Sequence, residues 1–159
     1  MPLSINETGK YITGLINQKR FSEADAAIDA LEAEIPLADR HRLLGWRSQV
    51  RWEQGFKAAA LNFIRSARAA EPRFLAHAYW TAVMEFELAL YADAEETLRS
   101  LIQNCGEYGD SFYMGEAQVR LIVCLKAMGR VAEAEQLKKS VDPQLSAYIG
   151  GELIEAAHL

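Results

Sequence analysis

The sequence is poor in residues that break or staple a chain. Four prolines and ten glycines among 159 residues exclude a collagen-like or low-complexity protein. Two cysteines make no disulfide scaffold and fit a reducing compartment. The longest strongly apolar run, Leu121 to Leu125, falls far short of the roughly 20 residues of a spanning helix. The first residues lack a basic start, an apolar centre and a small-residue cleavage site, so no signal peptide is expected and a cytoplasmic location is. Positive charge is also short. Seventeen Lys and Arg against 22 Asp and Glu give a net charge of −5, which argues against nucleic acid and anionic membranes as partners. What remains is globular: half hydrophobic, a quarter charged, and long enough for a single domain, 1–159, with a sizeable core.

Four segments share an alanine among small or acidic residues. They are Lys19-Arg20-Phe21-Ser22-Glu23-Ala24, Gly55-Phe56-Lys57-Ala58-Ala59-Ala60, Ala89-Leu90-Tyr91-Ala92-Asp93-Ala94 and Gly129-Arg130-Val131-Ala132-Glu133-Ala134. The alanines lie 36, 34 and 40 residues apart. Apolar residues follow at helical spacing: Ile28 and Leu31, Ile64 and Ala67, Leu98 and Leu101, Leu137 and Val141. Pro36, Pro72 and Pro143 come 9 to 12 residues after an alanine, where a helix has to stop. Helices cross closely only where side chains are small, so the alanines suit a helix–helix contact. An irregular all-α bundle is the alternative to a repeat array.

The pattern resembles the tetratricopeptide repeat (TPR), a helix–turn–helix unit of about 34 residues with a turn glycine, two spaced alanines and a closing proline. Gly55, Ala60, Ala67 and Pro72 match best. The third unit has Ala89 for the glycine, then Ala94, Leu101 and Gly106; the fourth has Gly129, Ala134 and Val141, with Pro143 three positions early. The first has Lys19 for the glycine but keeps Ala24, Leu31 and Pro36. The first-helix Trp–Leu–Gly–Tyr pattern is poorly kept. The resemblance covers roughly residues 5–143. It implies an all-α superhelical stack, a TPR-like α-solenoid, with a concave groove. The hairpins fall at about 4–34, 37–70, 74–104 and 112–140, and a capping helix at about 143–157. Gly150-Gly151 costs that last helix roughly 2 kcal/mol of propensity. The extra length before the fourth unit, 104–111, reads as a surface loop in which Tyr108 is a candidate contact.

Chemistry is sparse. His41, His77 and His158 have no ligand partners at a metal spacing, and the first two read as equivalent surface positions. Cys124, inside an apolar run, reads as a buried thiol; Cys105 reads as exposed. No phosphate loop or nucleophile elbow is present. The expectation is no catalytic residue, no metal and no cofactor.

The resemblance also implies that the second, fifth, ninth, twelfth and thirteenth positions of each first helix line the groove. With their neighbours these give Arg42, Trp46, Gln49 and Glu53, then Tyr79, Trp80 and Val83, then Arg120. Tyr79, Trp80, Val83 and Phe86 sit on a helix apolar nearly all round, so core is an even alternative for them. The expected function is a non-enzymatic module, a small chaperone or adaptor, that binds a peptide or protein in this groove. The partner is thus a protein or peptide, neither nucleic acid nor membrane, with a homodimer left open. The alternatives are an immunity-type inhibitor of a toxin domain and, from another class, a small-molecule-binding or enzymatic helical domain.

Overall fold

A computed structural model describes residues 4–159. Among these residues are eight α-helices in four consecutive pairs: α1 (Ile5–Asn17) with α2 (Phe21–Glu32), α3 (His41–Glu53) with α4 (Lys57–Ala70), α5 (Leu75–Glu87) with α6 (Tyr91–Tyr108), and α7 (Met114–Ala127) with α8 (Val131–Lys138). A two-stranded antiparallel sheet follows, β1 (Ser146–Ile149) and β2 (Glu152–Glu155). Ser4 starts α1 with a capping box. Its hydroxyl accepts from the Glu7 N–H, and the Glu7 carboxylate accepts from the Ser4 N–H.

The four pairs turn by one hydrogen-bond pattern. The turn residue takes a positive φ: 58° at Lys19, 86° at Gly55, 58° at Ala89 and 75° at Gly129. The next N–H reaches back five residues, from Arg20 to Leu15, Phe56 to Arg51, Leu90 to Glu85 and Arg130 to Leu125, at 2.8–2.9 Å. These four residues then accept from the N–H of Ala24, Ala60, Ala94 and Ala134. All four alanines are fully buried. At that point the second helix has only begun to leave the first, and only a methyl group fits between them.

The chain divides into two compact units, residues 1–71 and 72–159. In the first, Ile12, Leu15, Ile16, Ala24, Ile28, Leu43, Trp46 and Val50 form the core. Arg47 ties α3 to α2 through Asp29 at 2.9 Å and Glu32 at 2.8 Å, and Arg51 does so through Asp25 at 2.9 Å. Gly9 of α1 is needed where it stands: a Cβ there would lie 2.8 Å from the Trp46 ring.

In the second unit the core runs from Leu75 and Ala78 through Leu98, Leu101, Ile122 and Leu125 to Ala147 and Ala156 of the C-terminal segment. The expected surface loop is instead helix. α6 continues through Gly106 to Tyr108 and ends at Gly109, φ 66°, with the Asp110 N–H on the Cys105 carbonyl. Leu101 and Cys105, four apart and both buried, hold the extra turn against the core, which outweighs the roughly 1 kcal/mol cost of Gly106. Cys105 is therefore not exposed, and His41 and His77 are buried rather than surface residues.

The capping helix expected at 143–157 is also not formed. Gly150 and Gly151 take φ values of 60° and 84° and close the two-residue turn of a β-hairpin, with Ile149 paired to Glu152 and Ala147 to Ile154. The segment packs on α7, where Gly115 admits the Leu145 side chain; a Cβ would lie 2.6 Å from it. The fold is thus mostly helical rather than purely so.

Ala60→Glu and Ala94→Glu are each expected to cost several kcal/mol, since both overpack a closed crossing and bury an unpaired charge. Unfolding midpoints near those of the parent protein would contradict this account of the turns. The left-handed turns give a finer test. Ala89→Gly should raise stability by about 0.5–1 kcal/mol, and Gly129→Ala should lower it by about 1 kcal/mol. Denaturant titrations showing the same sign for both would show that the positive φ of Ala89 carries no strain.

Candidate partner-binding surfaces

In the first unit α1 and α3 lie side by side. Where Gly9 bares the α1 backbone, an open depression of about 590 Å³ forms. Trp46 is its floor, and Asn6, Lys10, Thr13, Asn17 and Arg42 supply its polar lining. The Arg42 guanidinium lies 5.6 Å from the Trp46 ring centre, and its Nη2 donates to Asn6 Oδ1 at 3.0 Å. The lining is rich in N–H donors and carries two cations beside an indole face, a chemistry suited to carbonyl and carboxylate groups of an extended segment.

Of the four expected groove residues in this unit, the structure brings two together here, Arg42 and Trp46. Gln49 is half-buried and Glu53 exposed, and neither lines the depression. The residues missed were on α1. Counted back from Lys19, the second, fifth, ninth and thirteenth positions of the first hairpin are Asn6, Gly9, Thr13 and Asn17, and all four line the depression. The register with Lys19 at the turn already contains them. A second hollow, of about 400 Å³, lies by His41 and the 3₁₀ turn Leu37–Asp39. Burial lowers the His41 pKa there, against the pull of Glu71 and Asp39.

In the second unit Tyr79 and Arg120 belong to the interior, at 7% and 5% exposure. The Tyr79 hydroxyl donates to Glu116 Oε1 at 2.5 Å. Arg120 Nη2 reaches the Tyr79 hydroxyl at 3.4 Å and also donates to the Tyr148 carbonyl of β1. Glu116 pairs with Arg120 at 3.7 Å. Arg120 thus fastens the β-hairpin to α7 and is not available to a partner. Val83 is half-buried against the core. Trp80, next to Tyr79 but turned outward, remains 40% exposed.

The thiols are poorly placed for reaction. Burial pushes Cys124 up to about 11, and its Sγ donates to the Tyr91 carbonyl at 3.2 Å; burial raises Cys105 as well. Neither is a thiolate at neutral pH. Among the described residues no group of three His, Cys, Asp or Glu side chains is placed to hold a metal ion. Among the same residues no helix is long and apolar enough to cross a membrane.

Burial, then the bond to Glu116, pushes the Tyr79 phenol from 10.0 up to about 12. Below pH 10 both folded and unfolded chains keep this proton, and its contribution to stability is complete. From pH 10 to about 12 the unfolded chain loses it first, so stability falls as pH rises. The loss is about 2–3 kcal/mol. Tyr79→Phe should flatten this part of the alkaline unfolding curve; an unchanged slope would count against the assignment. Set against known proteins, the chain matches no family model and no curated protein.

Proposed function

We propose that the chain is a non-enzymatic interaction module built of TPR-like hairpins, as in an α-solenoid, and that it holds an extended peptide or protein segment on its first-helix faces. The observation that carries this reading is the depression between α1 and α3. It is lined by Asn6, Gly9, Thr13, Asn17 and Arg42, which are the positions that the TPR resemblance assigns to a groove. The common turn pattern and the four buried alanines support the same register. An open, donor-rich surface with an indole floor suits main-chain carbonyls and side-chain acceptors along a segment better than it suits an enclosed metabolite.

Selection of displayed peptides on the full chain tests the reading. Arg42→Glu reverses the charge at the rim, and Thr13→Trp fills the hollow. Each variant should weaken the selected peptides at least about fivefold, the effect of a residue worth more than 1 kcal/mol. Each should leave the melting temperature near that of the parent, because both side chains are partly exposed. Failure to select peptides, or peptides indifferent to both changes, would overturn the proposal.

A further inference from the structure

The second unit carries a ladder of four aromatic rings. Trp80 meets Tyr79 edge-on at 5.3 Å, Tyr79 stacks on Tyr113 at 4.8 Å, and Phe112 meets Tyr113 edge-on at 4.8 Å. The inner pair is built into the fold. The outer rings are not covered: Trp80 is 40% and Phe112 81% exposed. The Phe112 N–H donates to Asp110 Oδ1 at 3.0 Å, which pins the main chain, and its ring rests edge-on against Tyr113. A large apolar side chain on a pinned backbone and seated against a neighbouring ring loses less freedom on contact.

We propose that this ladder, through Trp80, Tyr113 and Phe112 with the flanking carboxylates Asp110 and Glu116, docks a lysine or arginine side chain of a partner segment. The charges decide the occupant. Asp110 Oδ1 accepts from the Phe112 N–H at 3.0 Å and Glu116 Oε1 from the Tyr79 hydroxyl at 2.5 Å. A carboxylate thus touches the ladder residue on either side of Tyr113, whose phenol is raised by burial and then by both carboxylates. An apolar partner would strip the exposed Asp110 of water without pairing it, a net cost. An anionic partner meets Asp110 directly, while the buried Arg120 is engaged with Glu116 and the Tyr148 carbonyl. A cation gains from both features: the negative faces of the rings and the carboxylates beside them. The unit makes the same contact internally, with Arg73 5.1 Å from the Tyr108 ring centre and Arg120 5.5 Å from that of Tyr79. The net charge of −5 adds attraction at longer range.

This inference rests on the chain being an interaction module, but not on the depression of the first unit. The test uses labelled Gly/Ser peptides bearing two arginines or two lysines, each beside a neutral version with citrulline or acetyl-lysine, titrated into the full chain by fluorescence anisotropy. The cationic peptides should bind at least about tenfold tighter than their neutral versions, and Phe112→Ala or Trp80→Ala should each cost about fivefold or more. Phe112→Ala keeps every charge and loses almost no buried surface, so a general attraction between opposite charges would not respond to it. Asp110→Asn, which can still accept from the Phe112 N–H, should weaken only the cationic peptides. Arg42→Glu reads the other surface and should not reduce this binding. Equal affinity for neutral peptides, or indifference to both Phe112→Ala and Trp80→Ala, would overturn the inference while leaving the depression between α1 and α3 to be judged by its own variants.

Discussion

The fold depends on how closely a second helix can start beside the first. In all four pairs the chain reverses within a few residues, and the first turn of the returning helix has its alanine, Ala24, Ala60, Ala94 or Ala134, pressed on the helix before it. A larger side chain there would push the pair apart and take with it the buried residues one and two turns further on, such as Ile64 and Ala67 behind Ala60 or Leu98 and Leu101 behind Ala94. The turn therefore sets the spacing, and the cores of both units are filled to match it. Two turns meet the left-handed requirement with glycine. Lys19 and Ala89 meet it with a Cβ in place, and packing on either side must hold them there.

Arg120 plays a comparable part near the end of the chain. A guanidinium this deeply buried is costly, and its Nε and Nη1 have no hydrogen-bond acceptor among the described residues. Glu116, the Tyr79 hydroxyl and ring, and the Tyr148 carbonyl offset part of that cost. These partners come from α5, α7 and β1, so the charge is tolerated only while the three elements stay together. The arrangement gives up stability for a defined position of the hairpin.

The helices were legible because their signals are local. Apolar spacing, prolines beyond helix ends and the alanines gave boundaries within a few residues of those observed. The C-terminal hairpin was not read, although Gly150-Gly151 is a strong turn signal: Asp142-Pro143 before it looks like a helix start, and the two strands are only four residues each. The longer α6 was misread because Gly106 marks a break locally, whereas Leu101 and Cys105 decide its structure through packing. On the candidate surfaces, Arg42 and Trp46, two of the expected groove residues, line one depression. Sequence could not separate Tyr79 from Trp80, because adjacent residues on an apolar helix differ only in what lies opposite them. Glu116, the partner that keeps the Tyr79 hydroxyl inside, is 37 residues away.

The three tryptophans turn this difference in placement into an optical one. Trp46 is packed over Gly9 inside the first unit, Trp52 lies under the Lys57 ammonium at 3.6 Å, and Trp80 stands at the surface of the second. An indole away from water emits to the blue and is shielded from soluble quenchers; an exposed one emits to the red and is quenched readily. Trp46 therefore reports the interior of the first unit through a blue, shielded emission and Trp80 the surface of the second through a red, accessible one, with the half-buried Trp52 between them.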